Sequence, residues 1–290
     1  MSLMTGSIHG DNVITSSDGE LAGVDSHLIQ RNRTLEKELA ELQHESNEWH
    51  RALFRAEEVQ RKLCAPRRLR RGRFEIASEI FPVRYISGDF FDVLDLATGT
   101  GLVVGDIAGK GVAAGLWFAH FISMIRVHAV SHPGPAAAIA ALNHDLFQAQ
   151  SIPQTGTLFF GHLDTKRGEL AYCGAGHPPA LLVRRDGRVE ALAEGGPLLG
   201  AVPGANFSTG RVVMEPGDNL IGYSDGILDC RNVEGEDFGS QRLLAAARCA
   251  RHASSADAML FSMLGDVQDF AGDCPREDDF TLMTVRHLED

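Results

Sequence analysis

Ser87-Gly88-Asp89-Phe90-Phe91-Asp92, followed by Gly105-Asp106-Ile107-Ala108-Gly109-Lys110-Gly111, is the stretch whose reading decides the fold. Between the two segments, Val93 to Val104 reads as a β-hairpin. Phe91, Val93, Leu94 and Leu96 are strand formers, Thr98-Gly99-Thr100-Gly101 supplies the turn, and Leu102-Val103-Val104 runs back apolar. A hairpin brings its ends together, so Asp89 and Asp106 are expected to be neighbours. Glycine flanks both, which lets the backbone approach a ligand closely. Two adjacent carboxylates repel, and one of them would normally take up a proton. A divalent cation removes that conflict, because Mg2+ and Mn2+ prefer carboxylate, carbonyl and water oxygens.

Two more acidic positions sit in similar settings. Asp225 ends the apolar run Asn219-Leu220-Ile221-Gly222-Tyr223-Ser224 and precedes Gly226, and Asp278-Asp279 precedes Phe280-Thr281-Leu282-Met283-Thr284-Val285. Asp-Gly is also a common turn signal, and any one of these aspartates alone reads as a turn residue. Four acidic strand ends together point to one metal site built from separate strands.

The chain has 290 residues, enough for one large domain and an appendage. Its 44% hydrophobic and 23% charged content is that of a globular protein, and a net charge of -12 argues against general nucleic-acid binding. No apolar run is read as long enough to span a membrane, and the N-terminus lacks a signal-peptide pattern. Cys64, Cys173, Cys230, Cys249 and Cys274 are scattered without Cys-x-x-Cys spacing, so neither a zinc site nor a disulfide framework is expected, and a cytoplasmic location is the simplest reading.

Taken in order, residues 1–24 are polar and aperiodic, and a disordered head is expected there. Residues 25–65 follow as a helical linker. Leu28, Leu35, Leu42, Trp49, Ala56 and Leu63 recur in steps of seven, with Leu39 and Leu53 on the companion row, as in a dimeric coiled coil. A single amphipathic helix docked on its own domain is the alternative. Arg61 to Arg73 is basic and reads as a solvated hinge, with Pro66 ending the helix; contact with an acidic partner is its functional reading. The globular part, 66–290, opens with the alternating strand Phe74–Phe81. Helices are expected over Val112–Val130, Pro135–Gln150, Ser240–His252 and Ser255–Phe270. Hairpins are expected for Thr157–Asp164 with Gly168–Cys173 and for Pro179–Arg185 with Arg188–Leu192. Ser208–Met214 and Asn219–Ser224 are strands joined across Glu215-Pro216-Gly217-Asp218, and Phe280–His287 closes the chain. Short turns imply antiparallel pairing, and paired helices between runs of strands imply an α+β fold of stacked antiparallel sheets with helices outside.

The ordered set Ser-Gly-Asp-Phe-Phe-Asp, Gly-Asp-Ile-Ala-Gly-Lys-Gly, Ala-Gly-His-Pro-Pro, Tyr-Ser-Asp-Gly and Asp-Asp-Phe-Thr resembles the PPM family of metal-dependent protein serine/threonine phosphatases, in its SpoIIE-like bacterial branch. The resemblance spans about Val59 to His287. It implies an αββα sandwich with two Mn2+ or Mg2+ ions at one end. Asp106 would bridge the ions, Asp225 and Asp278 would complete the first site, and Asp89 with the Ile107 carbonyl would help hold the second. Asp106 and Asp89 would thereby serve catalysis, with water between the ions as nucleophile on phosphoserine or phosphothreonine. The family further implies a phosphorylated regulatory protein, such as an anti-sigma-factor antagonist, as substrate, and a homodimer through the N-terminal helix.

Other residues in the motifs are read as supporting. Asp279 is the second of its pair, and Asp92 lies three residues from Asp89, on the other face of a regular strand. Lys110 reads as a loop residue within reach of a phosphate, His177 as a brace in its turn, and Arg84 as the nearest candidate for a phosphate-binding arginine. Ser87, Phe91 and Ala108 depart from the family pattern where glycine, tyrosine and serine are frequent, without removing a proposed ligand. Two competing functions are a catalytically silent signalling module of the same fold that binds a partner, and a two-metal phosphoesterase acting on a small molecule.

Overall fold

The computed structural model describes residues 17–148 and 154–289, with side chains from residue 27 onward. The chain divides into two compact units, Met1–Leu53 and Phe54–Asp290. Helix α1 (Ser17–Leu63) is followed by β1 (Arg68–Arg71), β2 (Phe74–Phe81), β3 (Phe90–Leu96), β4 (Gly99–Ile107), α2 (Val112–Ser131) and α3 (Pro135–Gln148). Then come β5 (Gly156–Asp164), β6 (Glu169–Ala175), β7 (Ala180–Val183), β8 (Val189–Leu192), β9 (Gly195–Gly196) and β10 (Gly210–Val213). The chain closes with β11 (Asn219–Tyr223), α4 (Asp225–Leu228), α5 (Gly239–Ala250), α6 (Ala256–Ala271) and β12 (Phe280–His287).

The strands form two sheets. One has the order β1-β2-β12-β11-β7-β8, and the other β10-β6-β5-β4-β3, with the two-residue β9 beside β6. Every pairing is antiparallel except β6 with β9. Three separate apolar clusters fill the spaces between four layers. Phe118, Ile122 and Leu142 of α2 and α3 pack on Phe90, Val103, Leu158 and Phe160. Phe91, Leu102, Val104 and Phe159 face Ile76, Leu182, Leu220 and Met283 between the sheets. Leu243, Met259 and Met263 of α5 and α6 pack on Ala77, Leu181, Ile221 and Leu282. Successive side chains of a strand point to opposite faces, so Val103 goes to the helices while Leu102 and Val104 go to the other sheet. Both faces are buried, which is why these strands read as continuous apolar runs rather than alternating ones. The αββα sandwich expected from the sequence is the observed architecture.

Several local expectations are corrected. The β3–β4 turn is Ala97-Thr98, with Leu96 opposite Gly99, rather than Thr98 to Gly101. The strands before and after Glu215 to Asp218 do not form a hairpin: β10 pairs with β6 in one sheet and β11 with β7 and β12 in the other. A tight turn fixes the direction of the chain but not which sheet receives the next strand. The basic run is not a hinge throughout, since Arg68–Arg71 is an edge strand on β2. Its charges are largely met inside the molecule: Arg67 reaches Glu79 at 2.7 Å and Asp257 at 3.3 Å, and Arg71 reaches Asp95 at 2.9 Å. Helix α1 begins at Ser17, so residues 17–24 are helical rather than part of a disordered head; residues 1–16 lie outside the described residues. Helix α2 is long and apolar enough to cross a membrane by length and composition, contrary to the sequence reading. Phe118, Phe121, Ile122 and Ile125 are nevertheless buried in the core. Along α1 the heptad residues Leu28, Leu35, Leu42 and Trp49 are exposed, Trp49 by 70%.

Candidate active site

Asp89 immediately precedes β3 and Asp106 lies near the end of β4, so the hairpin register brings them to the same end of one sheet, with Phe90 opposite Gly105. Asp225 follows β11 and Asp278 precedes β12, which pair antiparallel and therefore share one end of the other sheet. The sheets are tied together at this end by the Thr281 hydroxyl, which donates to Asp89 Oδ2 at 2.6 Å. Asp89 is 2% exposed and lies within hydrogen-bond reach of Asp106. Burial, and then the charge of Asp106, push the Asp89 carboxyl well above the usual carboxylate range. Burial, and then Asp225 and Asp278, push Asp106 up to about 6. Asp225 is raised too, by burial and then by Asp229 and Asp278. These groups hold negative charge in one place at a cost, the electrostatic mark of a cation site.

Backbone oxygens complete the picture. A Cβ on Gly88 would sit 2.7 Å from the Ile107 carbonyl oxygen, 2.9 Å from Asp106 Oδ1 and 3.2 Å from the Gly109 carbonyl oxygen. Three oxygens thus converge on a space that only glycine leaves open. Among the described residues no three His, Cys, Asp or Glu side chains are gathered to hold an ion by themselves. The donor set is a carboxylate pair with carbonyls beside it, and Asp225 and Asp278 stand within electrostatic reach of Asp106. In kind these donors suit a hard divalent cation.

The surrounding residues take structural roles. Asp279 accepts from the Val83 N–H at 2.7 Å, the Ser87 hydroxyl at 2.6 Å and the Gly88 N–H at 3.2 Å, so it braces the loop that carries Asp89. The Asp89 N–H in turn donates to Ser87 Oγ at 3.0 Å. Asp92 points away from Asp89 and accepts from Arg126 Nε at 2.6 Å, while Arg126 Nη2 donates to the Leu63 carbonyl at the end of α1. Lys110 lies 3.0 Å from Asp278 Oδ1 and donates to the Glu277 carbonyl at 2.9 Å. His177 is buried, with Nδ1 2.8 Å from Thr157 Oγ1, and burial lowers its pKa to about 3. A neutral imidazole has no proton to give as a general acid at neutral pH, which agrees with the bracing role. Burial pushes the thiols of Cys64 and Cys173 up to about 12 and raises that of Cys230, so none of these is a thiolate nucleophile.

Sequence reading missed three contributors. Thr281 stood in plain view in Asp-Asp-Phe-Thr but gave no sign of its partner. Ser224 accepts from the Thr281 N–H at 3.0 Å and donates to the Asp279 carbonyl at 3.3 Å, joining the Asp225 and Asp278 segments. Gln60, in the last turns of α1, donates to the Ser87 carbonyl at 2.7 Å and accepts from the Ser87 N–H at 3.0 Å. It falls on the companion heptad row of Leu39 and Leu53, where it reads as a polar seam residue, and its contact spans 27 residues, beyond any local pattern.

Two antiparallel sheets between helix pairs, with carboxylates gathered where strands of both sheets end, define the PP2C-type protein serine/threonine phosphatase class. The SiaA-PP2C domain of Pseudomonas aeruginosa superposes with a TM-score of 0.71 at 23% identity, covering 83% of this chain and 98% of that one. The RsbU and RsbW domains of a Mycobacterium tuberculosis protein superpose with a TM-score of 0.65 at 28% identity, covering 75% and 61%. The chain belongs to the SpoIIE family, described as Stage II sporulation protein E, which it matches over residues 97–288. It is 30% identical to Protein IcfG of Synechocystis sp. over 200 residues, 59% of this chain and 32% of that protein. It is 26% identical to the phosphoserine phosphatase RsbU of Bacillus subtilis over 241 residues, 80% of this chain and 68% of RsbU. The chain thus spans about a third of the cyanobacterial relative's length.

Proposed function

We propose that the protein hydrolyses phosphoserine or phosphothreonine on a bacterial regulatory protein, with two divalent cations, Mn2+ or Mg2+, at the carboxylate site. The observation that carries this reading is the Asp89–Asp106 pair, a buried and a half-buried carboxyl side by side with both pKa values raised. Asp106 would bridge the ions, Asp225 and Asp278 would complete one site, and Asp89 with the Ile107 carbonyl would serve the other. Bound there, the cations supply an activated water and neutralise the phosphoryl charge. The rest falls to the chain itself. Thr281 fixes Asp89 by hydrogen bonding to its charged form. Asp279 and Gln60 hold the Ser87-Gly88 backbone, which positions both Asp89 and the space before Ile107. The thiols of Cys64, Cys173 and Cys230 are held protonated, and the proposed hydrolysis needs no thiol step.

The substrate expected for this reading is an anti-sigma-factor antagonist, in keeping with the similarity to RsbU. A cytoplasmic location and a homodimer paired through α1 belong to the same proposal, the latter supported by the exposed heptad stripe. The test is phosphate release from an aryl phosphate and from a phosphoserine protein, with Mn2+ and with excess chelator after dialysis. Turnover is expected only with metal. Full activity in chelator would overturn the reading, and binding of a phosphoprotein without turnover in Mn2+ would favour the silent signalling module.

A further inference from the structure

One cleft beside the carboxylates stands out by its charge. It encloses about 290 Å3 and is lined by Val83, Arg84, Lys110, Arg276, Glu277 and Asp279, among others. Its walls are the segment that leads into Ser87-Gly88-Asp89 and the segment that leads into Asp278, so it opens directly beside the candidate active site. Most arginines whose contacts have been described are matched by a carboxylate: Arg67 by Glu79, Arg71 by Asp95, Arg126 by Asp92 and Arg231 by Asp237. The two in this cleft are not. Arg84 is exposed and makes no ion pair or hydrogen bond among the described residues. Arg276 is exposed as well. Its guanidinium lies 5.4 Å from the centre of the Phe280 ring and reaches only the Phe81 carbonyl, at 3.5 Å.

The acidic groups nearby do not neutralise this pair. The Asp279 carboxylate is taken up by the Val83 and Gly88 N–H groups and the Ser87 hydroxyl. Asp278 is paired with Lys110, and Glu277 lies 3.4 Å from Arg231. In a chain of net charge -12, two arginines left uncompensated in one cleft form a local exception to the sign of the whole molecule. A guanidinium presents a planar fork of donors that matches a carboxylate bidentately.

We propose that this cleft binds acidic residues flanking the phosphoserine of a protein substrate, with Arg84 and Arg276 as its specificity-determining residues. The inference rests on the phosphatase reading and adds the chemistry of the substrate segment. Basic flanks are rejected by the same two charges.

The experiment uses the full chain with Mn2+ and two fluorescein-labelled phosphoserine peptides, one flanked by Asp and Glu and the other by Lys. Binding is followed by anisotropy and turnover by phosphate release, with p-nitrophenyl phosphate as a substrate that has no flanks. The acid-flanked peptide is expected to be preferred about tenfold at low salt, equivalent to about 1.4 kcal/mol, with the preference shrinking as salt rises. Arg84→Glu combined with Arg276→Glu should invert that preference. Both side chains are exposed, and circular dichroism checks that the variant is folded. Equal affinity of the wild type for the two peptides, or a preference unchanged in the double variant, would overturn the proposal. A wild type that hydrolyses none of the three removes the phosphatase reading, while the anisotropy ratio still decides the cleft.

Discussion

At the scale of single residues, the active site is a balance between carboxylate repulsion and the donors that tolerate it. Asp106 carries a folded-state pKa of about 6 against an ordinary 3.8. A carboxyl raised in this way keeps its proton longer in the folded protein. Its contribution to stability is fully present below about pH 4 and is lost as pH rises through about 6. Asp106→Asn should therefore abolish turnover while stabilising the metal-free protein at pH 7, by on the order of 2 kcal/mol. The gain should vanish near pH 4. Urea titrations in chelator at the two pH values check this, and wild-type turnover of the variant in saturating Mn2+ would make Asp106 a turn residue. Thr281→Val keeps the side-chain shape but removes the donor to a buried Asp89. Its loss should weaken Mn2+ binding about tenfold, read by calorimetry, and lower stability by about 1–2 kcal/mol. An unchanged Mn2+ affinity would leave the hydroxyl with a packing role alone.

At the scale of elements, the last turns of α1 are tied to the loop that carries Asp89. Gln60 holds both backbone groups of Ser87, and Arg126 of α2 caps the Leu63 carbonyl. Gln60→Ala should lower turnover about tenfold with little change in melting temperature, since it frees the Asp89 loop without touching a buried apolar group. Turnover equal to wild type would show that Asp279 suffices to brace the loop. The exposed heptad stripe carries its own expectation. The full chain should sediment as a dimer, and Leu35→Asp with Leu42→Asp should give a monomer, because each buries an unpaired charge in a seam. A control chain must begin at Phe54, where the compact unit starts, because a start at Arg73 would strip β1 from the sheet edge. The β3–β4 hairpin was legible because its strand formers, glycines and acidic ends lie within one short window. β1 was not, because Arg68-Leu69-Arg70-Arg71 looks like solvated charge until Glu79, Asp257 and Asp95 arrive from elsewhere. The split of β10 and β11 between sheets is likewise a tertiary fact that the Pro216-Gly217 turn cannot encode. Asp89 and Asp106 announced themselves through their glycine neighbours. Thr281 and Gln60 act over sequence separations of 192 and 27 residues, and no local pattern marks such contacts.

At the scale of the whole molecule, four layers are joined by three apolar interfaces, and the hydrophilic chemistry is confined to where strands of both sheets run out. Periodicity gave the layer architecture, since paired helices between runs of strands have few other ways to bury their faces. The same layering decides how the molecule meets reactive oxygen. Cys173 and Cys230 are buried and Cys64 is half-buried, all three with thiols held protonated, and no carboxylate of the candidate site depends on sulfur. Oxidation proceeds through the thiolate, so these positions resist it. Cys249, exposed on α5, and the half-buried Cys274 are the positions open to attack. Millimolar hydrogen peroxide should leave turnover within about twofold of the untreated protein, with sulfenic acid mapped by mass spectrometry to Cys249 and Cys274. Rapid inactivation accompanied by modification of Cys64 or Cys173 would contradict this. On the proposed reading, a phosphatase that uses carboxylates in place of a thiol would go on erasing phosphorylation during oxidative stress, when enzymes that rely on a reactive cysteine fall silent.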